Sequence, residues 1–431
     1  MRFDIARACS HRLWESELLV NPILWVSILS VVLLVIHLYQ WKGIASPIGI
    51  FHSLLWLGVS LSYAIWQADL EVISTKTLWI IGIGIAMFSG GFLAGIQLKP
   101  LPAKFLHPEG VFTRMVPLPT IIVAVSVIGL ASMLHQALAL VSIDTSSSLV
   151  GSGSWYARLR LVLVSEKAGS YGLASYVLNF SFVGSAYLAY MSRIGKSSRM
   201  LGPSILLSLG FCFLATGRTY LILFGCLMLA AVGPSRQNKR IVLLITAMAA
   251  LVAVTWVGGR FNQASVGAFL ASMEHHAKLY FVAPVAALNY LINLDLPSTG
   301  GGYTFRTLLA VLKAMGMGLE VPDLIQPYPN VKLSANVYTV FSPYYRDFGV
   351  AGVALLMALL GLLHGWILIQ INQQWSFLLI VASGILCYAL LMQFFQDQYF
   401  SLLSQWIQLI GWAYVFSLLQ CKITADIGSG H

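Results

Sequence analysis

The sequence predicts an all-α membrane protein that crosses the bilayer many times. Of its 431 residues, 58% are hydrophobic and only 9% are charged, and the mean hydropathy is +0.82. Apolar runs of about 20 residues recur along the chain, which is the length a helix needs to cross roughly 30 Å of hydrocarbon. A membrane β-barrel would instead show short strands of alternating hydrophobicity.

The apolar runs predict about eleven transmembrane helices. These are expected near residues 19–39, 48–66, 78–97, 117–139, 170–191, 201–216, 219–233, 241–258, 349–371, 376–394 and 401–418. The run 201–233 is divided at Gly217-Arg218-Thr219 because one helix of that length would extend about 50 Å, too far for the hydrocarbon layer.

Loop charges predict the orientation of the helices. The basic loops 192–200 and 235–240 contain no acidic residue, and such loops favour the cytoplasmic side. This places the long segment 259–348 outside. We therefore expect a transmembrane bundle of about eight spans over 1–258, a large folded outer loop with amphipathic helices over 259–348, before the ninth span, and C-terminal helices with a cytoplasmic tail over 349–431.

Composition also excludes several classes of function. The net charge of +10 does not suggest nucleic acid as a partner, because the basic residues lie mostly in loops, where they set orientation or face anionic lipid. The five cysteines are scattered, with no C-x-x-C spacing. They indicate neither a disulfide framework nor a metal site, and we expect no metal and no cofactor.

Arginines recur at the predicted outer ends of different helices. The candidates are Arg158, Arg160, Arg218 and Arg260. An arginine fork binds phosphate oxygens in pairs and keeps its charge at any physiological pH. The set suggests a lipid-linked phosphate or diphosphate ligand. Contact with anionic lipid headgroups is the alternative for each arginine taken singly.

Outer-face carboxylates are candidates for a general base. Glu274 lies beside His275 and His276 in SMEHH, and Asp347 lies at a predicted membrane boundary. Either carboxylate could accept a proton from an attacking hydroxyl, and His276 is a third candidate. The alternatives are an ion pair or helix cap for Asp347 and a solvated loop face for Glu274. Adjacent histidines on a helix do not face one way, so they make a poor metal site.

The segment SANVYTVFSPYYRDFGVAG, residues 334–352, concentrates polar and aromatic side chains at the start of an apolar run. Its D-F-G triplet is not that of a protein kinase, because the other kinase motifs are missing. Asn336, Tyr338, Tyr345 and Arg346 could hydrogen-bond to sugar hydroxyls or stack on sugar rings. An interfacial aromatic belt is the alternative interpretation.

The pattern N-V-Y-T-x-F-x-x-Y-Y-x-D-F-G-x-x-G at 336–352 closes the large loop and opens a late helix. With T-G-R-T at 216–219 and G-G-R at 258–260, it resembles the bacterial oligosaccharide repeat-unit polymerases, the O-antigen polymerases. The resemblance covers most of the chain from about residue 75 to 418. It implies a GT-C-like helical glycosyltransferase of the bacterial inner membrane, acting at the periplasmic face without metal or nucleotide sugar.

The resemblance further implies undecaprenyl-diphosphate-linked oligosaccharide as substrate, membrane lipids as surroundings and a chain-length regulator protein as a possible partner. On this hypothesis, Arg158, Arg160, Arg218 and Arg260 bind the diphosphate. Asp347, Glu274 or His276 acts as the base, and Asn336, Tyr338, Tyr345 and Arg346 bind sugars. Two rival readings remain: an O-antigen ligase that transfers glycan to lipid A core, and a flippase or other transporter of lipid-linked oligosaccharide.

Overall fold

The computed structural model describes residues 23–40, 47–102, 118–143, 155–164, 171–196, 199–233, 266–294, 296–323 and 328–428. The regular elements in these segments are helices, numbered here in chain order. They are α1 Leu24–Gln40, α2 Pro47–Ile65, α3 Thr75–Gly95, α4 Leu118–Ile143, α5 Trp155–Val164, α6 Ala174–Arg193, α7 Leu201–Leu214, α8 Arg218–Val232, α9 Val266–Phe281, α10 Ala283–Asn293, α11 Arg306–Ala314, α12 Phe341–Gln373, α13 Phe377–Leu391 and α14 Leu403–Gly428.

Within the described segments, the helices long and apolar enough to cross a membrane are Ile48–Ile65, Thr75–Gly95, Leu118–Val141 and Phe341–Gln373. Shorter apolar helices lie at the predicted spans 19–39, 201–216, 219–233, 376–394 and 401–418. The 20-residue helix α6 lies at 170–191, and 241–258 falls outside the described residues. The run 201–233 is interrupted between Leu214 and Arg218, as predicted. The chain is thus a helical, multi-pass membrane protein, and the total of eleven spans stays a prediction.

The chain divides into two compact units, each assembled from separate stretches of sequence. The first unit comprises Met1–Leu98, Phe261–Trp366 and Ala389–Ser401. The second comprises Lys99–Arg260, Ile367–Tyr388 and Leu402–His431. The predicted division into 1–258, 259–348 and 349–431 stays a prediction.

In the first unit, α3 and α12 pack backbone against backbone. A Cβ atom added to Gly91 would overlap the carbonyl oxygen of Ala358, and one added to Gly361 would overlap that of Phe88. Gly95 and Gly365, one turn further along their helices, make the same kind of close approach. Small residues four apart allow this contact between helices in a membrane.

Two non-helical segments of the first unit pack against the middle of its helices. They are 334–340, before α12, and 392–401, after α13. The Val340 N–H donates to the Gln393 carbonyl at 2.8 Å, which joins the two segments. Trp56, midway along α2, donates its Nε1–H to the Gln393 side chain at 3.3 Å. Non-helical backbone at this level is tolerated where protein buries it or where it lines a polar cavity.

The first part of α12 differs in direction from the rest. Gly349 has φ 64° and ψ −155°, so the helical geometry is broken there. A Cβ at Gly352 would meet the side chain of Phe348 and the carbonyl of Tyr344. The short helical piece 341–348 therefore packs closely on the start of the membrane-crossing piece, and glycine is required at the break because φ is positive.

The second unit is joined by polar contacts between apolar helices. Ser181 and Ser185 on α6 share hydrogen bonds of 2.6 to 2.9 Å with Ser204 and Ser208 on α7. Asn179 bonds to Gln408 of α14 at 2.8 Å. Serine and amide side chains stabilise helix contacts in this way where no water is present.

Candidate functional site

A polar pocket lies within the first unit, beside the two non-helical segments. The space in and around it, including the open solvent at its mouth, amounts to about 460 Å³. It is lined by Tyr303, Arg306, Asp323, Asn336, Val337, Tyr338, Ser342, Pro343, Gln396, Asp397 and Ser401. Two of the predicted sugar-binding residues, Asn336 and Tyr338, are therefore in one cavity with two carboxylates and an arginine.

The segment before α12 holds Asn336 and Tyr338 in place. The Tyr338 ring packs with Ala287 and Leu291 of α10, and Tyr345 lies against this cluster. Burial raises the pKa of the Tyr338 phenol, so the phenol stays protonated and can donate a hydrogen bond. Asn336 is half-buried and offers both an amide donor and an amide acceptor.

Asp397 forms the buried floor of the pocket. Its carboxylate accepts hydrogen bonds from the Tyr344 hydroxyl at 2.8 Å and from the Ser401 hydroxyl at 2.9 Å. Backbone N–H groups of Tyr399 and Ser401 also donate to it, at 3.0 and 3.1 Å. Asp397 therefore closes the turn that follows Gln396, and its oxygens are engaged by the protein itself.

The rim of the pocket carries arginine and tyrosine. Arg306, the first residue of α11, donates its Nε–H to the Pro322 carbonyl at 2.6 Å, which holds the chain on both sides of α11 together. The guanidinium carbon of Arg346 lies 3.7 Å from the centroid of the Tyr303 ring, a cation–π contact. Asp323, next to Pro322, is exposed at the rim.

A second pocket adjoins this rim. The space in and around it, including the open solvent at its mouth, amounts to about 500 Å³, and it is lined by Leu291, Leu296, Ser298, Tyr345, Arg346 and Gly349. The four predicted sugar contacts are thus divided between two cavities. Arg346 lines this one and stacks on Tyr303, which lines the other.

Asp347, predicted as a base, is buried, and its carboxylate accepts three hydrogen bonds from the protein. It accepts from the Thr299 hydroxyl, from the Tyr303 N–H at 3.1 Å and from the Thr304 N–H at 2.6 Å. The Ser298 hydroxyl bonds to its backbone carbonyl. These contacts anchor the glycine-rich turn 298–304 on α12, and Asp347 does not line the pocket.

Glu274 and His276 lie on α9, and neither lines the pocket. Glu274 is 54% exposed and pairs with Lys278 at 2.8 Å. Lys278 also pairs with Asp69 at 2.5 Å. Hydrogen bonds from Lys278 to Asp69 and Glu274 raise the pKa of the lysine, which stays charged. The ion pairs of Lys278 connect α9 to the turn after α2.

The predicted diphosphate-binding arginines belong to the second unit. Arg158 and Arg160 are half-buried on the short helix α5. Arg218 is the first residue of α8, preceded by Gly217, and its side chain lies outside the described part of the structure, as does the whole of Arg260. Within the described segments, no group of three His, Cys, Asp or Glu side chains is placed to hold a metal ion.

Sequence reasoning did not select Arg306, Asp323 or Asp397 for the site. The segment QFFQDQYF, which includes Gln396 and Asp397, shows the signal that was available: three glutamines and an aspartate between two apolar helices. Buried polar groups need hydrogen-bond partners, so a connection this polar is expected to line a cavity or to close a turn. Arg306 and Asp323 flank an amphipathic run and carry no such local signal.

Fold and site together define a multi-pass helical membrane protein with a polar cavity built from non-helical segments. The sequence is similar to a curated protein named O-antigen polymerase from Shigella dysenteriae, at 24% identity over 239 residues. The match covers 54% of this chain and 58% of the relative, so it spans less than two thirds of either protein. The resemblance inferred from the sequence is thereby confirmed.

No family model matches the chain. No solved structure matches it either.

Proposed function

We propose that this protein is an integral-membrane glycosyltransferase that polymerises undecaprenyl-diphosphate-linked oligosaccharide repeat units at the periplasmic face of the bacterial inner membrane. The observation that carries the proposal is the pocket itself. It combines amide, phenol, guanidinium and carboxylate groups in a multi-pass membrane chain that is similar to a protein named O-antigen polymerase.

Sugar binding is assigned to the two adjoining pockets. Asn336 and Gln396 offer amide donors and acceptors to sugar hydroxyls, and Tyr338 offers a phenol. Tyr345 and Arg346 serve the second pocket. Arg158, Arg160, Arg218 and Arg260 stay proposed as ligands of the diphosphate, where they would stabilise the charge that develops on the leaving group.

We place the general base at Asp323. Among the carboxylates considered, Asp347 and Asp397 are buried, and neither Asp347 nor Glu274 lines the pocket. Asp323 lies at the rim of the pocket and is exposed. A proton on the Asp323 carboxylate can pass to water. A general base must release its proton in this way in every catalytic cycle.

The proposed step is a substitution at the anomeric carbon of the growing chain. A hydroxyl oxygen of the incoming repeat unit forms the new bond to that carbon. The bond from the carbon to the diphosphate oxygen breaks, and undecaprenyl diphosphate leaves with the electron pair. The hydroxyl proton moves to the carboxylate of Asp323. We propose that no metal takes part.

The test uses the purified full chain with undecaprenyl-diphosphate-linked repeat units from the source strain and EDTA. We expect a ladder of products on a gel. Asp323→Asn should slow ladder formation by about 10² to 10⁴-fold, the usual contribution of a positioned base. Glu320→Gln, an exposed acid three residues away, is the matched control and should leave the rate unchanged.

Other outcomes would contradict the proposal in different ways. Transfer of the glycan to added lipid A core, with no ladder, would identify a ligase. Movement of the lipid-linked oligosaccharide across vesicle membranes, without either reaction, would identify a flippase. A normal ladder from Asp323→Asn would leave the polymerase in place and remove Asp323 as the base.

A further inference from the structure

Helix α11, Arg306–Ala314, presents an uncovered apolar face. None of its nine residues is buried. Leu308 is 52% exposed, Val311 51% and Met315, just after the helix, 75%. Positions three and four apart fall on one side of a helix, so these side chains form one continuous strip. A strip of this kind in contact with water is unfavourable and marks a surface that binds something apolar.

An aromatic contact links the start of α11 to the start of a membrane-crossing helix. Phe305, next to α11, packs on Phe348 with ring centroids 6.2 Å apart. Phe348 adjoins Gly349, where the membrane-crossing part of α12 begins. Along that part, Leu355, Leu359 and Leu363 are exposed at four-residue spacing, as expected of a helix surface in contact with lipid. Phe305 therefore ties the first residue of α11 to the point at which the membrane-crossing part of α12 begins.

The opposite side of α11 is cationic. Arg306 and Lys313 are seven residues, or about two turns, apart and share that side. The acidic residues of this region, Glu320 and Asp323, follow the helix on the returning chain. An amphipathic helix with basic residues on its polar side and leucine and methionine on the other fits the interface of a bilayer that contains anionic lipid.

We propose that α11 lies in the interface of the lipid bilayer, with Leu308, Val311 and Met315 inserted among the acyl chains. Its partner is the phospholipid leaflet itself. Because Arg306 both starts α11 and lines the polar pocket, the mouth of that pocket is held at the level of the lipid headgroups. If the proposed function is correct, this is also the level at which a lipid-linked diphosphate presents its sugar.

Spin labels can test this placement without substrate. Single cysteines are introduced by Leu308→Cys, Val311→Cys and Lys313→Cys in the full chain with its native cysteines replaced by serine, and the parent chain gives the background. Each labelled protein is reconstituted in vesicles of phosphatidylethanolamine and phosphatidylglycerol. Collision of the label with oxygen, which concentrates in lipid, is compared with collision with a water-soluble nickel chelate.

We expect labels at 308 and 311 to collide mainly with oxygen and the label at 313 to collide mainly with the nickel chelate, a several-fold difference in the ratio. Preferential collision with the chelate at all three positions would overturn the proposal. So would protection from both reagents at 308 and 311, because protein would then cover the strip. The measurement involves no turnover, so its failure would leave the proposed reaction untouched, and loss of the ladder would leave this placement untouched.

A second pair of variants covers the case in which the cysteine-substituted chain does not fold. Leu308→Glu and Lys313→Glu are made in the otherwise native chain, and tryptic cleavage after Arg306 is compared in vesicles. A carboxylate at 308 should expel the helix from the interface and speed this cleavage several-fold, whereas at 313 it should have little effect. Equal cleavage of the two variants would contradict the insertion of Leu308.

Discussion

At the scale of single residues, three aspartates of the first unit have different roles, although all belong to the pocket or to the start of α12. Asp347 receives a hydroxyl and two backbone N–H groups from the turn 298–304. Asp397 closes the turn after Gln396. Asp323 is the exposed carboxylate of the pocket rim. A buried carboxylate that accepts hydrogen bonds stabilises the fold. An exposed carboxylate at a cavity can exchange protons with substrate and water.

Asp347→Asn should therefore act mainly on stability. The amide places an NH₂ group among donors where the carboxylate accepted three hydrogen bonds, and we expect a loss of about 2–4 kcal/mol in the free energy of unfolding. Thermal unfolding in detergent, followed by intrinsic fluorescence, measures it. Glu320→Gln, on the exposed part of the same loop, should change stability by less than about 0.5 kcal/mol.

An Asp347→Asn protein that unfolds at the wild-type temperature and yet forms no product ladder would contradict this assignment. It would return Asp347 to the role of base, which the sequence alone had suggested. Turnover must therefore be compared at a temperature at which both proteins are fully folded.

At the scale of elements, the close approach of α3 and α12 depends on glycines. Gly91→Ala places a methyl group against the Ala358 carbonyl, and the two backbones must separate. We expect a loss of roughly 1–3 kcal/mol, the usual cost of overpacking. Gly90→Ala is the matched control, because a Cβ at Gly90 meets nothing within 4 Å. There the better helix propensity of alanine should give a neutral or slightly stabilising change.

The thermal unfolding temperatures of the two alanine variants test whether α3 and α12 are closely packed. Equal stability of Gly91→Ala and Gly90→Ala would mean that the contact between α3 and α12 is loose in the membrane. The same comparison between Gly361→Ala and Gly225→Ala checks the α12 side, since a Cβ at Gly225 also has open space.

The bounds of a helix could be predicted where the local sequence determines them, and not where tertiary contacts determine them. The apolar runs gave α2 and α3 within three residues of their observed ends because the length of a span follows from the thickness of the hydrocarbon. The early start of α12 was missed. Its first part is a separate short helix before Gly349, which packs on its neighbours by contacts that no single run of sequence shows.

The site follows the same rule. Asn336 and Tyr338 could be found because a dense polar and aromatic segment beside an apolar run is conspicuous in one stretch of sequence. Asp323, Arg306 and Gln396 could not, because they reach the pocket from places far apart in the chain. Asp347 was predicted as a base because it lies in the same polar and aromatic segment. Its structural role could not be predicted, because its hydrogen-bond donors lie more than forty residues away in sequence.

At the scale of the whole molecule, the proposed sugar subsites belong to one compact unit, and this allows binding to be tested without turnover. A ligand that binds only the folded form stabilises it, by about 2.7 kcal/mol at a concentration of one hundred times Kd. Trypsin reports on both units at once. Lys313 is an exposed cleavage site in the first unit, and Arg199 is one in the second.

We expect the soluble repeat-unit oligosaccharide, without its lipid, to raise the temperature at which trypsin cuts after Lys313. Cleavage after Arg199 serves as the internal reference and should shift less, because the subsites belong to the first unit. Asn336→Ala should abolish the shift at Lys313 while leaving cleavage of the ligand-free protein unchanged. An equal rise at both sites in wild type and variant would indicate a general effect of the sugar as a cosolute. No rise at either site at saturating oligosaccharide would remove the two pockets as sugar subsites, and the recognition of substrate would then have to rest on the lipid diphosphate.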